Sequence, residues 1–254
     1  MAHIRQCVSS WCFNRPDLSF LKLCHELKRI GYTGLELLPE DHWDFAKAQG
    51  LSVVTHGAHD GIANGLNRTE NHPRIAKEIT TAIDNAAAAG VANLVCFSGN
   101  RAGLDDATGL ANTVAGLKLV AGYAELKGVT LLLELLNSKV DHKDYQCDHA
   151  AWGFEAIRRV GSMRVKLLYD IYHAQIMEGD LIRSFVPNIE LIGHFHTAGV
   201  PGRHEIGDGQ EIHYPGVMRA IAATTYFGVV GQEFVPAGDP IAALEEAYRI
   251  CNVG

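Results

Sequence analysis

The chain predicts a closed (β/α)8 TIM barrel, an α/β fold occupying residues 1–254 as one domain. Three observations carry this expectation. The 254 residues match the roughly 250 usual for such a barrel. Eight short β-branched or leucine-rich runs alternate with helical patterns, the sequence form of repeated βα units. The first βα junction lacks the G-x-G-x-x-G fingerprint that would favour an open dinucleotide-binding sheet.

In chain order the runs fall near residues 4–8, 34–38, 52–55, 93–97, 130–135, 165–169, 189–195 and 229–234. Stretches such as Leu131-Leu132-Leu133 and Leu94-Val95-Cys96-Phe97 are apolar without alternation, as in strands covered on both faces. Between residues 17 and 30, Leu18, Leu21, Cys24, Leu27 and Ile30 recur near the helical period, while Lys22, Glu26 and Arg29 fall elsewhere. One face of that helix therefore points inward. Gly31, Gly50, Gly90, Gly128, Gly161 and Gly228 follow helical patterns, where positive φ closes a helix before the next strand. Asp239-Pro240 predicts an N-cap and a first-turn proline for a last helix over residues 241–250.

Composition narrows the function classes. Hydrophobic residues make up 47% and charged residues 20%, an ordinary soluble balance. A formal charge of −7 gives no reason to expect nucleic acid or an anionic membrane as partner. Neither a signal stretch at the N-terminus nor an apolar run of about 18 residues is present, so a cytoplasmic protein is expected. The cysteines at 7, 12, 24, 96, 147 and 251 include no C-x-x-C pair and read as buried thiols of a reducing compartment.

In a barrel of this kind reactive groups collect at the C-terminal ends of the strands. Glu134 ends an apolar run in which a lone carboxylate would be costly. Asp170 and Glu233 take equivalent places on two other strands. His194 and His196 share one side of a further strand by its period-two geometry. A salt bridge or cap explains any one of them alone. Three carboxylates and one imidazole converging at the mouth would instead form an oxygen-rich divalent site, suited to Mn²⁺ or Mg²⁺, with Co²⁺ or Zn²⁺ as alternatives.

Longer segments then carry a resemblance. Leu133-Glu134-Leu135-Leu136-Asn137, residues 169–180 (Tyr-Asp-Ile-Tyr-His-Ala-Gln-Ile-Met-Glu-Gly-Asp) and Gly199-Val200-Pro201-Gly202-Arg203-His204-Glu205, with Glu233 beyond, resemble the hydroxypyruvate isomerase branch of the xylose-isomerase-like superfamily. The resemblance implies Glu134, Asp170, His196 and Glu233 as metal ligands, Glu134 and Glu233 as the proton-exchanging pair, and His173 and Arg203 as substrate contacts. It implies no organic cofactor, and homo-oligomers are expected from the family. Leu135 stands where that branch often has proline. His196 stands where it often has glutamine and looks like the ketose 3-epimerases. The loop Thr55-His56-Gly57-Ala58-His59-Asp60-Gly61 also departs from the branch.

Such a site favours a small hydroxy-carbonyl substrate, with hydroxypyruvate going to tartronate semialdehyde as the leading expectation. A ketose 3-epimerase is second, and a metal-dependent lyase or a sugar-binding barrel without turnover comes from another class. Arg203 suits a substrate carboxylate, its alternative being a pair with Glu205. His56 is expected to line the pocket, with His59 and an apolar wall of Trp11, Cys12 and Phe13 as further candidates. Lys139 would attract an acid group or remain a solvated loop lysine.

Overall fold

The computed structural model describes residues 4–253. Met1, Ala2 and His3, which begin the stretch read above for a signal segment, lie outside the described residues, as does Gly254.

The strands are β1 (Arg5–Ser9), β2 (Gly34–Glu36), β3 (Ser52–Val53), β4 (Thr55–Gly57), β5 (Asn93–Cys96), β6 (Thr130–Glu134), β7 (Val165–Asp170), β8 (Ile192–Thr197) and β9 (Val229–Gln232). Their hydrogen-bonded order is β3-β2-β1-β9-β8-β7-β6-β5-β4, and all pairs are parallel. The expected third strand is broken at Val54: β3 pairs with β2 and β4 with β5. The ring is thus nearly closed. Across the break, Val54 N–H donates to Leu35 O at 2.8 Å and Leu37 N–H to Thr55 O at 2.9 Å.

The helices are α1 (Phe20–Ile30), α2 (Trp43–Ala48), α3 (His72–Ala89), α4 (Asp106–Lys127), α5 (Ala150–Val160), α6 (Ile171–Met177), α7 (Leu181–Phe185), α8 (Tyr214–Ala222) and α9 (Pro240–Cys251). Helix α1 begins later than its apolar pattern because Ser19 is the N-cap, its Oγ accepting from Lys22 N–H, while Asp17 pairs with Arg15 at 3.0 Å. Asp239 caps α9 through the N–H groups of Ile241 and Ala242, as its Asp-Pro pair predicted. Five of the six expected glycines take positive φ; Gly228 does not, and lies instead against the Tyr226 ring. The apolar residues Ile189 and Leu191, expected to open a strand, belong to a 3-10 segment (Val186–Leu191), and β8 starts at Ile192.

Residues pointing out of the barrel pack under the helices. Tyr169 and Phe195 from β7 and β8 meet Phe185 edge-on, with centroids 5.8 and 5.5 Å from it. Each such side chain contributes about 2 kcal/mol by leaving water. Inside the barrel, Val95, Leu132 and Leu168 form a separate apolar layer. Two residues further along β6 and β7 the inward positions are Glu134 and Asp170, so an apolar plug lies beneath the polar mouth. All six cysteines are free and buried. Among the described residues no helix is long and apolar enough to cross a membrane.

Candidate active site

Register brings the polar strand ends together. Asp170 lies opposite His196 between β7 and β8, and His196 opposite Gly231 between β8 and β9, two residues before Glu233. The Nδ1 of His196 stands 3.0 Å from Glu233 Oε2, 3.3 Å from Glu134 Oε1 and 4.0 Å from Asp170 Oδ2. One ligand atom from each of the four residues lies within 4.8 Å of the others, and all four residues are buried.

Local structure aims each group. Tyr145, fully buried, donates its hydroxyl to Glu134 O at 3.0 Å and accepts from Ser98 N–H at 2.9 Å, which fixes the end of β6. Asp170 is the N-cap of α6: Oδ1 accepts from His173 N–H at 3.1 Å, leaving Oδ2 turned toward His196. Glu233 is gripped from two sides. Its Oε1 accepts from Trp11 Nε1–H at 3.0 Å and its Oε2 from Arg203 at 2.6 Å.

The electrostatics follow from burial. Desolvation pushes Asp170 up to about 7 and raises Glu134 as well. Burial also opposes the charge on Glu233, yet His196 and Arg203 hold it down at about 2. His196 is raised well above the usual imidazole range: burial works against its charge, but Glu233 and Glu36 outweigh it. A divalent ion would relieve this crowding of carboxylates. The donor set fits one, because His196 Nδ1 is buried without a hydrogen-bond partner and faces three carboxylates. Three oxygens and one nitrogen suit a hard or borderline divalent cation.

Arg203 and His173 border the same group. Arg203 sits in the loop between β8 and α8 with φ +60°, a left-handed conformation unusual for a bulky residue. That loop is tied down around it, Arg203 N–H donating to Gly199 O and Val235 N–H to Arg203 O. The guanidinium is flanked by the rings of Trp11 and Tyr172, 5.5 and 5.3 Å from their centroids. Its carboxylate partner is Glu233, whereas Glu205 caps the backbone of Ala237 and Gly238.

His173 is buried, and desolvation with nearby Arg203 pushes it well below the usual imidazole range, so its ring is neutral. Its Nδ1 accepts from Asn137 Nδ2 at 2.6 Å. The orientation of Asn137 is set because its Oδ1 takes the N–H groups of Val140 and Asp141. The proton of His173 is thereby assigned to Nε2, 3.2 Å from Arg203.

His56 is not brought to this group. Thr55 occupies the inward position of β4, so by strand alternation His56 turns outward, where it contacts Leu38 O, Glu40 and the Trp43 ring. His59 is satisfied by the backbone of Phe97 and Asp60. Lys139 caps the C-terminal end of α6 through Ile176 O and Met177 O. Cys12 and Phe13 are buried, while Trp11, expected as apolar wall, also supplies a hydrogen bond to Glu233. Sequence reasoning passed over Glu36, although the rule that singled out Glu134, a carboxylate ending an apolar strand, applies to it equally.

The model of the xylose isomerase-like TIM barrel family matches residues 24–251. The chain belongs to that family. Among xylose isomerase-like relatives, hydroxypyruvate isomerase of Escherichia coli is 32% identical over 174 residues, covering 67% of each chain. The 2-oxo-tetronate isomerase of Cupriavidus necator is 34% identical over 134 residues, 53% of this chain and 51% of that one. A solved structure described as AP endonuclease, family 2, from Brucella melitensis superposes with a TM-score of 0.81 at 26% identity, over 95% of this chain and 97% of that one. By its relatives this xylose isomerase-like barrel is an isomerase.

Proposed function

We propose that the protein interconverts hydroxypyruvate and tartronate semialdehyde at a divalent metal held by Glu134, Asp170, His196 and Glu233, with Mn²⁺ or Mg²⁺ as the ion. The observation that carries this reading is the donor pair beside those four residues. His173 Nε2–H and the Arg203 guanidinium stand 3.2 Å apart, and Asp170 Oδ2, at 3.6 and 3.9 Å, faces both from beyond hydrogen-bond reach, so the pair can take a closer acceptor from a ligand. A substrate carboxylate or hydroxyl oxygen supplies one, and the guanidinium fork matches a carboxylate. Relatives that act on 2-oxo acids agree with this choice.

When bound, the ion supplies positive charge to the substrate's carbonyl and adjacent hydroxyl oxygens. The protein's own groups move the proton. One of Glu134 and Glu233 removes a proton from the hydroxymethyl carbon, giving an enediolate. The other, protonated at the start, delivers a proton to the neighbouring carbon while the hydroxyl proton passes to the former carbonyl oxygen. The carbonyl thus moves to the terminal carbon with no net oxidation, and the two glutamates end with their protonation states exchanged. Trp11 and Arg203 orient Glu233, and the α6 cap orients Asp170.

A ketose 3-epimerase is the second reading, favoured by a histidine at 196. NMR of metal-stripped and Mn²⁺-loaded protein in D₂O, given hydroxypyruvate or a panel of ketoses, separates the two. Metal-dependent conversion of hydroxypyruvate with carbon-bound deuterium is expected. A ketose inverted at one centre would favour epimerisation, and no exchange with any compound would favour a lyase or a binding protein.

A further inference from the structure

Below the four residues lies a further buried carboxylate, Glu36, at the end of β2. Glu36 crosses the barrel interior toward β8. Its Oε2 accepts from His194 Nε2 at 2.7 Å and from Thr55 Oγ1 at 3.3 Å, and its Oε1 accepts from Ser9 Oγ at 3.0 Å. The same Oε1 lies 3.3 Å from His196 Nε2, an ion-pair contact rather than a formed hydrogen bond, so Nε2 has Glu36 as its facing charge. His196 is therefore flanked by Glu36 on its Nε2 edge and by Glu134, Asp170 and Glu233 on its Nδ1 edge.

The path of Glu36 depends on a missing side chain. Gly231 lies opposite both Cys7 and His196 in the sheet, and a Cβ built there would collide with Oε1 of Glu36 and come within 3.0 Å of the His196 ring. The barrel thus leaves room at one inward position, and the carboxylate fills it.

We propose that Glu36 is the positioning residue of the centre: its carboxylate, seated in the space over Gly231 and braced by Ser9, Thr55 and His194, holds the Nε2 edge of His196 so that Nδ1 faces Glu134, Asp170 and Glu233. Outer carboxylates commonly orient ligand histidines in this way, setting both ring direction and tautomer. The inference rests on reading the four residues as a metal centre.

The test uses Co²⁺ alone as the probe, added to metal-stripped full-length protein and followed by its visible absorption band and by titration, with thermal melting of the stripped protein as the check on folding. Glu36→Gln keeps shape and removes charge; its amide can accept from one histidine only while presenting NH₂ to the other. The expected result is a folded protein that binds Co²⁺ about 10- to 100-fold more weakly, with an altered band. A folded Glu36→Gln protein with wild-type affinity and band overturns the proposal. Should Glu36→Gln fail to fold, Glu36→Asp decides: it keeps the charge but draws the carboxylate back from His196, and the same weakening supports the role whereas wild-type binding overturns it. Wild-type protein that binds no Co²⁺ overturns the metal reading itself, and this inference with it, which separates that failure from the failure of Glu36 alone.

Discussion

Trp11 and Glu233 are 222 residues apart in the chain, yet the indole Nε1–H donates to Oε1 of Glu233 at 3.0 Å where β1 and β9 end. The hydrogen bond leaves Oε2 to Arg203. Trp11→Phe keeps an aromatic ring beside the guanidinium and removes the donor. Because Trp11 is 45% exposed, the melting temperature should hold. Turnover followed by NMR should fall about tenfold, since a hydrogen bond to a charged group is worth about 1.5 kcal/mol. Unchanged turnover would make the indole a bystander.

Glu134 and Glu233 both approach His196 Nδ1, at 3.3 and 3.0 Å. Glu134→Gln and Glu233→Gln each retain shape and remove the base. Turnover and deuterium incorporation should both drop by about 100-fold or more, as for loss of a general acid–base group. Metal content measured on the same samples separates lost proton transfer from lost binding. Variants of either residue that are folded, metal-loaded and fully active would refute the assignment.

Arg203→Lys replaces a planar fork with a point charge, and lysine cannot bridge both carboxylate oxygens. The KM for hydroxypyruvate should rise about tenfold, corresponding to about 1.4 kcal/mol. Affinity for a ketose lacking a carboxylate should change little. Equal effects on both substrates would show that residue 203 acts by holding Glu233 rather than by meeting the acid.

The loop between β6 and α5 has its own stability switch. Burial raises the Asp148 carboxyl, but Arg101, Ser138 and His149 outweigh it and hold it below the usual value. Arg101 reaches it at 2.8 Å, and the Asp148 side chain is 5% exposed. A depressed folded value means that the stabilisation is present above the unfolded value of about 3.9 and is lost as pH falls through the folded one. Arg101→Ala removes the guanidinium and leaves the buried carboxylate to Ser138 and His149 alone, and should cost about 3 kcal/mol at pH 7. In urea titrations the gap from wild type should narrow as Asp148 is protonated below about pH 3.9. A gap independent of pH would mean that Arg101 stabilises by packing alone.

Much of the centre was legible because its signal is local. Glu134 and Asp170 each close a largely apolar strand and His196 stands one residue before the end of β8, and a polar group in such a place marks the barrel mouth without knowledge of what lies opposite. His56 lies apart from the group for a different reason: its direction depends on the pleat of a two-part strand broken at Val54, and the break puts Thr55 inside. The start of β8 was misplaced because Ile189 and Leu191 look alike in a strand and in a 3-10 turn. The Trp11–Glu233 and Arg203–Glu233 contacts join residues 222 and 30 apart, so pairing of side chains across the closed ring is what reveals them.

A side chain at 231 would run into the Glu36 carboxylate where it now sits and push it from its seat beside His196. In any descendant of this chain, enlarging residue 231 therefore changes what a carboxylate at 36 can reach, so the two sites drift under one constraint. Directed evolution that enlarges residue 231 should therefore recover second-site substitutions at 36. Two positions on strands β9 and β2, which do not pair with each other, thus form one heritable unit.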